Sequence, residues 1–449
     1  MQKIVIKNFG PIRDAEIEIK PITVLLGEQA TGKSTVAQLV HFFCSLGDEI
    51  VREPGMMTAH TVEDVHTAIV QAIRKKFLAF FGPVEQLRDF EVVFFATVKA
   101  EKFIKIARSE GWLEVEFSAP YGLKEFKEHL IEHLFASGGV LVARLEMLAE
   151  RVYPFLWGDA PAMFYQPVYF IAGRNVTTTF SETFRAFFAE NYRYRNGHAA
   201  AHSALTSLTS NFMLHSAWLK DSMIASGGGF EQVLNKIEYT DLAKDFSLRL
   251  HSVLKGKFQV LPDGAEVIHN EDGARTFLVN ASSGQQESIR ILQDLALLCA
   301  YEERAFRTIE EPEAHLFPSA QNALTDLLVM THNRTGSHFF LTTHSPYFLS
   351  SFNNLLYAAK AAGDNLPEGE TPNPERLRQV EELGYPKHLR LKASDFAAYQ
   401  LKDGTAESIF NPDSAITDID GLDAVSFEIA TKFEALVEIV KEAEAHETA

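Results

Sequence analysis

The sequence predicts an α/β protein, a mixed sheet flanked by helices that carries a compact helical insertion and no long coiled coil. Three observations predict it. An apolar strand runs into a Gly-containing loop and then a helical repeat near the N-terminus. Strand-length apolar runs alternate with helical stretches after residue 253. No heptad pattern persists for three or four repeats.

Taken in order, Ile4, Ile6 and Phe9 alternate with polar residues, and Ala15, Ile17 and Ile19 do so again after Gly10-Pro11, which reads as an antiparallel hairpin. The run Ile22 to Leu26 reads as a third strand, Gly27 to Gly32 as a loop, and Val36, Leu39, Val40 and Phe43 as one face of a helix. Strands are expected at Phe90 to Val98, Phe103 to Ala107 and Trp112 to Phe117, and helix from Leu123 to Tyr153. Val168 to Ala172 reads as a buried strand, and residues 177 to 252 as helical throughout, with Phe180, Phe184, Phe187 and Phe188 on one stripe read as core. Strands return at Lys257 to Val260, Ala265 to Ile268, Thr276 to Val279, Thr308 to Ile309 and His338 to Thr342. Helices are expected at Gln285 to Tyr301 and Ser319 to Thr331. Gly363 to Arg378 reads as an exposed loop, and Asp420 to Glu444 as an amphipathic helix ending in an acidic tail. The expected division is 1–175, a first lobe; 176–252, the helical insertion; 253–415, a second lobe; and 416–449, a terminal helix and tail.

At 449 residues, 46% hydrophobic and 23% charged, the chain has the composition of a globular protein, which excludes collagen-like and largely disordered classes. Its net charge of −18 disfavours indiscriminate nucleic-acid binding, although a local basic groove stays open. Cys44 and Cys299, each in an apolar helical context, supply no disulfide framework or structural zinc site. Met1 to Lys20 reads as strands rather than as a signal segment, and no apolar run is long enough to span a membrane, so the expected compartment is the cytoplasm.

Gly27-Glu28-Gln29-Ala30-Thr31-Gly32-Lys33-Ser34, followed by Thr35, fits GxxxxGK[ST] between a strand and a helix. In that pattern the backbone N–H groups and the helix start face a nucleotide's phosphates, Lys33 reaches the β and γ oxygens, and the Ser34 hydroxyl ligates Mg²⁺. Glu310 and Glu311, followed by Pro312, place two carboxylates at a strand end. A pair there is ordinarily just solvated, but beside a phosphate loop one can hold the Mg²⁺ water shell and the other can polarise the attacking water. Ser282-Ser283-Gly284-Gln285 opens a helix and is read two ways, as an ordinary cap made by Ser283 or as a second anion site serving the nucleotide of another subunit. His344, within Thr342-Thr343-His344-Ser345-Pro346, ends a further strand, where a γ-phosphate contact fits as well as simple packing does.

These four elements in this order resemble the ABC-type P-loop ATPase head of the SMC, RecF and OLD kind, particularly the compact AAA-domain ATPases of bacterial antiphage defence (PARIS, Septu and retron-associated subunits). The resemblance covers roughly residues 1–45 and 270–360, with the string Glu310-Glu311-Pro312-Glu313-Ala314-His315-Leu316 and Pro318 its most specific part. It implies ATP and Mg²⁺ as ligands, Glu310 on the metal side and Glu311 as the base. It also implies Ser282 to Gln285 as a signature acting in trans, Glu313 to Leu316 as the D-loop region and His344 as the switch histidine. Gln29-Ala30 stands where such loops commonly carry Asn-Gly. The function implied is an ATPase that dimerises head to head around ATP and controls a separately encoded effector, a nuclease or toxin; the alternative is a RecF-like ATPase that clamps DNA. Asp418 and Asp420 supply only part of a nuclease centre, His198 and His202 read as surface helix positions rather than metal ligands, and Arg174 is expected to face the nucleotide or a partner.

Overall fold

The computed structural model describes residues 2–83, 87–97, 99, 101–136, 148, 150–156, 167–179, 207–366 and 370–417. The expectations for Phe180 to Phe188, His198 and His202, Asp418 and Asp420, and the 420–444 helix lie outside these residues.

The opening hairpin forms as expected: β1 (Gln2–Phe9) pairs antiparallel with β2 (Ile12–Ile19), joining Ile4 to Ile17 and Ile6 to Ala15, all buried on one face. β3 (Ile22–Leu26) is buried on both faces, as its continuous apolar run requires. Helix α1 (Lys33–Cys44) follows the loop. β4 (Phe90–Thr97), β5 (Lys102–Ser109) and β6 (Trp112–Phe117) extend the antiparallel side. On the other side of β3 lie β12 (His338–Thr343), β11 (Phe306–Glu310) and β7 (Val168–Phe170), all mutually parallel. Among the described residues the sheet has eleven strands, in the order β6-β5-β4-β1-β2-β14-β13-β3-β12-β11-β7, where β13 is Phe396–Lys402 and β14 is Thr405–Ser408.

The two strands that join the halves of this sheet are not among those expected from the sequence. β13 (Phe396–Lys402) pairs parallel with β3, Phe396 opposite Ile22, and turns back into β14 (Thr405–Ser408). The Gly404 carbonyl at that turn accepts the N–H groups of Arg13 and Asp14 at 2.7 and 3.1 Å, which fastens the antiparallel half to the parallel half.

Two apolar cores lie against the sheet, and β3 feeds both. Leu25 joins Val36, Phe42, Phe43, Phe77 and Phe94 in one, while Ile22, Val24 and Leu26 join Leu292, Leu327, Phe339 and Phe352 in the other. Successive strand side chains point to opposite faces, so one five-residue strand anchors both layers.

Three expectations are corrected. The 177–252 region is not continuous helix: within its described part, helices Ser207–Ala225, Phe230–Leu234 and Thr240–Leu254 are separated by a turn at Gly227 and Gly228, whose φ values of 101° and 88° a helix cannot continue through, and by residues 235–239. β10 (Arg275–Phe277), paired with β9 (Glu266–Asn270) beside β8 (Gly256–Val260), stops at Phe277, because Leu278–Asn280 turns as a short 3₁₀ segment leading to the next helix. Residues 374–378 are helical rather than loop: Asn373 caps helix Pro374–Glu382 through the N–H groups of Glu375 and Arg376, and Pro374 sits at the first position, where its missing N–H costs nothing.

Candidate nucleotide site

The parallel strands β3, β12, β11 and β7 end side by side, with Leu26 opposite Thr343 and Glu310 opposite Thr342. Their carboxyl ends therefore present the loop after β3, His344 after β12 and Glu310-Glu311 after β11 at one edge, the place where open α/β sheets bind ligands.

Gly32 has φ 102°, and a Cβ there would stand 2.6 Å from Ile12 Cδ1, so the turn into α1 needs glycine. The N–H groups of Lys33, Ser34 and Thr35 form the first helical turn and have no carbonyl four residues back within the helix. Glu28, Gln29, Ala30 and Ser34 are exposed, and Thr31 is half-buried with its hydroxyl on the Glu28 carbonyl at 2.9 Å. Ala30 holds φ 64°, the left-handed conformation that a glycine would take without strain.

Lys33 Nζ donates to the carbonyls of Gly27 and Glu28 at 2.8 and 2.7 Å and lies 3.4 Å from His344 Nδ1. Burial lowers its pKa, opposed by the negative field of Glu311, Glu313 and Glu310. His344 Nε2 lies 3.2 Å from Glu311 Oε1. The two ring nitrogens of His344 face different charges, Nδ1 the Lys33 ammonium and Nε2 the Glu311 carboxylate. Lys33, His344 and Glu311 thus form a chain of contacts across three neighbouring strand ends.

The two adjacent glutamates face different partners. Glu310 is buried, its Oε1 accepting the Tyr169 hydroxyl at 2.7 Å and its Oε2 the Ala172 N–H at 3.1 Å. Glu311 is half-buried and strained, at φ 43°, with its N–H on the Thr342 carbonyl at 2.9 Å. The donor set fits Mg²⁺: the exposed Ser34 hydroxyl and the Glu310 carboxylate are hard oxygens, and Glu310 keeps lone pairs beyond the two it uses.

Glu313, read from the sequence only as part of the D-loop region, also belongs to this cluster. Its Oε1 accepts the Thr343 hydroxyl and, at 2.9 Å, the His344 N–H, while its buried Oε2 has no hydrogen-bond partner among the described residues. Burial raises its pKa. Tyr169 is a second residue the sequence reading missed: nothing in a buried Val-Tyr-Phe strand signals that its hydroxyl would reach a carboxylate 141 positions away.

Arg174 does not face the nucleotide edge. It is 0% exposed, and its guanidinium is spent on the carbonyls of Ile171, Glu287, Glu310 and Glu311.

Ser282–Gln285 stands apart. Ser282, rather than Ser283, caps helix Ser283–Tyr301, in a reciprocal capping box with Gln285. Gln285 Nε2 donates to the Leu254 carbonyl at 2.6 Å, and Gly284 packs so closely on the strand-end turn that a Cβ would stand 2.7 Å from the His315 carbonyl oxygen. Among the described residues, no polar contact joins 282–285 to the loop at 27–35. Ser282 and Ser283 are exposed.

A strand–loop–helix with Lys33 at its turn, paired glutamates on a neighbouring parallel strand and a histidine on the strand between them define a P-loop nucleotide-binding head. The chain belongs to the AAA ATPase domain family, whose match covers residues 1–135 and 166–349. No curated protein matches the chain. Similar solved structures include an SmcHead bound to the C-winged helix domain of ScpA (10% identity, TM-score 0.39, 91% of this chain and 96% of that one). They also include an SMC head domain from Thermotoga maritima (12% identity, TM-score 0.35, 91% and 97%) and an Smc head domain with an extended coiled coil bound to the C-terminal domain of ScpA derived from Pyrococcus furiosus (10% identity, TM-score 0.37, 91% and 96%). No helix of the described residues is long and apolar enough to cross a membrane.

Proposed function

We propose that this protein binds and hydrolyses ATP with Mg²⁺, that two copies meet head to head around the nucleotide, and that this closure controls a separate effector protein in antiphage defence. The observation that carries the ATPase reading is the convergence of Lys33, Glu311 and His344 at the ends of three adjacent parallel strands. The N–H groups at the start of α1 and the Lys33 ammonium receive the phosphates. Ser34 and Glu310 would hold Mg²⁺, which draws charge off the phosphate oxygens when bound. Glu311 takes the proton of the attacking water, and His344, hydrogen-bonded to Glu311, fixes the carboxylate and reaches toward the γ-phosphate.

Head-to-head pairing is supported by Ser282–Gln285. Ser282 and Ser283 at this helix start are exposed, and among the described residues no polar contact joins 282–285 to the loop at 27–35, which supports a role for it in capping the nucleotide of a second copy. The effector and the defence role rest on the resemblance of the motif string.

A mixing experiment tests the composite site. Lys33→Ala and Ser282→Arg should each be inactive alone and should recover up to half of the activity per site when combined, since one chain brings the loop and the other the helix start. No recovery in mixed dimers verified by tag pull-down would show that each head works alone.

A further inference from the structure

The buried Arg174 lies between two parts of the molecule that the proposed cycle must connect. It follows β7, and its side chain crosses to the end of β11, where Nη1 donates to the Glu310 carbonyl and Nη2 to the Glu311 carbonyl at 2.9 Å. Nη1 also reaches the Ile171 carbonyl at 3.0 Å. On its other side, Nε donates to the Glu287 carbonyl at 2.9 Å, and the Arg174 N–H to Glu287 Oε2 at 2.8 Å, with the guanidinium 3.6 Å from that carboxylate. Glu287 belongs to helix Ser283–Tyr301, little more than one turn from Ser282. One turn further on, Arg290 Nε reaches the Thr177 hydroxyl at 3.3 Å, so the segment after Arg174 is fastened to the same helix twice.

A planar, permanently charged group with five donors suits a point where several carbonyls meet, and a buried strand end has carbonyls that its own sheet does not use. Glu311 sits at φ 43°, a conformation that a non-glycine residue keeps only when its surroundings impose it. Arg174 imposes it from the carbonyl side, and the Thr342 carbonyl from the N–H side.

We propose that Arg174 is the positioning residue for Glu311 and, through Glu287, the mechanical link between each head's own hydrolytic carboxylate and the helix that it offers to the opposite nucleotide. Fully buried, it acts through the backbone of Glu310 and Glu311 rather than on a ligand. A shift of helix Ser283–Tyr301 on engaging a second copy would be passed by Glu287 and Arg174 to the carbonyls of Glu310 and Glu311. This rests on the reading of Glu311 as the base and of Ser282–Gln285 as acting in trans.

The test uses the full chain with Arg174→Lys, which keeps the cation for Glu287 but cannot reach four carbonyls, together with Glu287→Gln and the double variant. ATP turnover, binding of a fluorescent ATP analogue and amide hydrogen exchange are measured on each. Arg174→Lys should lower kcat by roughly 10- to 100-fold, the range that small misplacements of a catalytic group produce, with analogue affinity within about threefold of wild type because the loop at 27–35 is untouched. Glu287→Gln should lower kcat less, and the double variant should be no worse than Arg174→Lys, since both act through one link. Exchange of the Glu311, Ala314 and Leu316 amides should speed up in Arg174→Lys. Unchanged kcat, loss of affinity in step with kcat, or a multiplicative double variant would overturn the assignment. If the wild type itself does not turn over ATP, the functional reading fails, and the exchange arm alone decides: unchanged protection across 311–316 refutes Arg174 as the support of this turn.

Discussion

Replacing Asp294 with Asn should destabilise the protein by about 3 kcal/mol at neutral pH, because it removes the negative charge from a buried carboxylate–guanidinium pair. Asp294 lies on helix Ser283–Tyr301 and is almost fully buried. Arg307 Nε of β11 donates to its Oδ2 at 2.7 Å and Nη2 to its Oδ1 at 3.1 Å, and His215 Nε2 of helix Ser207–Ala225 lies 2.8 Å from Oδ1. One carboxylate therefore joins β11, helix Ser283–Tyr301 and helix Ser207–Ala225. Burial alone would push its pKa up, but the Arg307 charge and the His215 hydrogen bond outweigh that and hold it at about 2, against an ordinary 3.8. The folded pKa is the lower one, so this stabilisation is complete above pH 3.8 and is lost as pH falls from 3.8 to about 2. At 1.36 kcal/mol per unit the gap amounts to about 2 kcal/mol. Urea unfolding followed by tryptophan fluorescence reads the site directly, since the Trp218 indole stacks on His215 with ring centroids 5.3 Å apart. Wild type minus Asp294→Asn gives the effect at each pH, and other carboxylates cancel in the difference. Asp294→Leu with Arg307→Met should be more stable than Asp294→Asn, since the buried pair is then removed whole instead of losing one partner. A cost below about 1 kcal/mol at pH 7, or a difference that stays constant from pH 4 to pH 2, would refute the reasoning.

Lys33→Ala should abolish ATP turnover with little change in the melting curve, which a coupled phosphate-release assay beside calorimetry checks. Glu311→Gln should retain nucleotide binding and lose hydrolysis, so that size exclusion with ATP shows a longer-lived assembly than wild type gives; identical profiles with intact turnover would remove Glu311 from the role of base. Ala30→Gly should raise unfolding free energy by about 1 kcal/mol, since the φ of 64° no longer meets a Cβ, and a lower midpoint would show that the loop is not strained there.

Features carried by neighbouring residues were legible in the sequence. The loop from Gly27 to Ser34 is local: its glycine turn, lysine and helix start lie within a dozen positions, and β3 advertises its double burial as five apolar residues in a row. The hairpin of β1 and β2 is equally local, since a tight turn sets its register. Glu310 and Glu311 were visible as a pair, but not that one would turn to Tyr169 and the other to His344; the Tyr169 contact depends on β7 lying beside β11. β13 and β14 went unread because a mixed run such as Phe-Ala-Ala-Tyr-Gln-Leu-Lys becomes a strand only when β3 and β2 are there to pair with it. Arg174 shows the same limit more sharply. From the sequence it is expected to face the nucleotide or a partner, and what holds it inside instead is a set of carbonyls and a carboxylate from residues more than a hundred positions away. Backbone sterics and apolar periodicity act over a few residues and are written into the chain locally. The pairing of buried polar groups depends on which elements meet in space, and only the assembled sheet decides that.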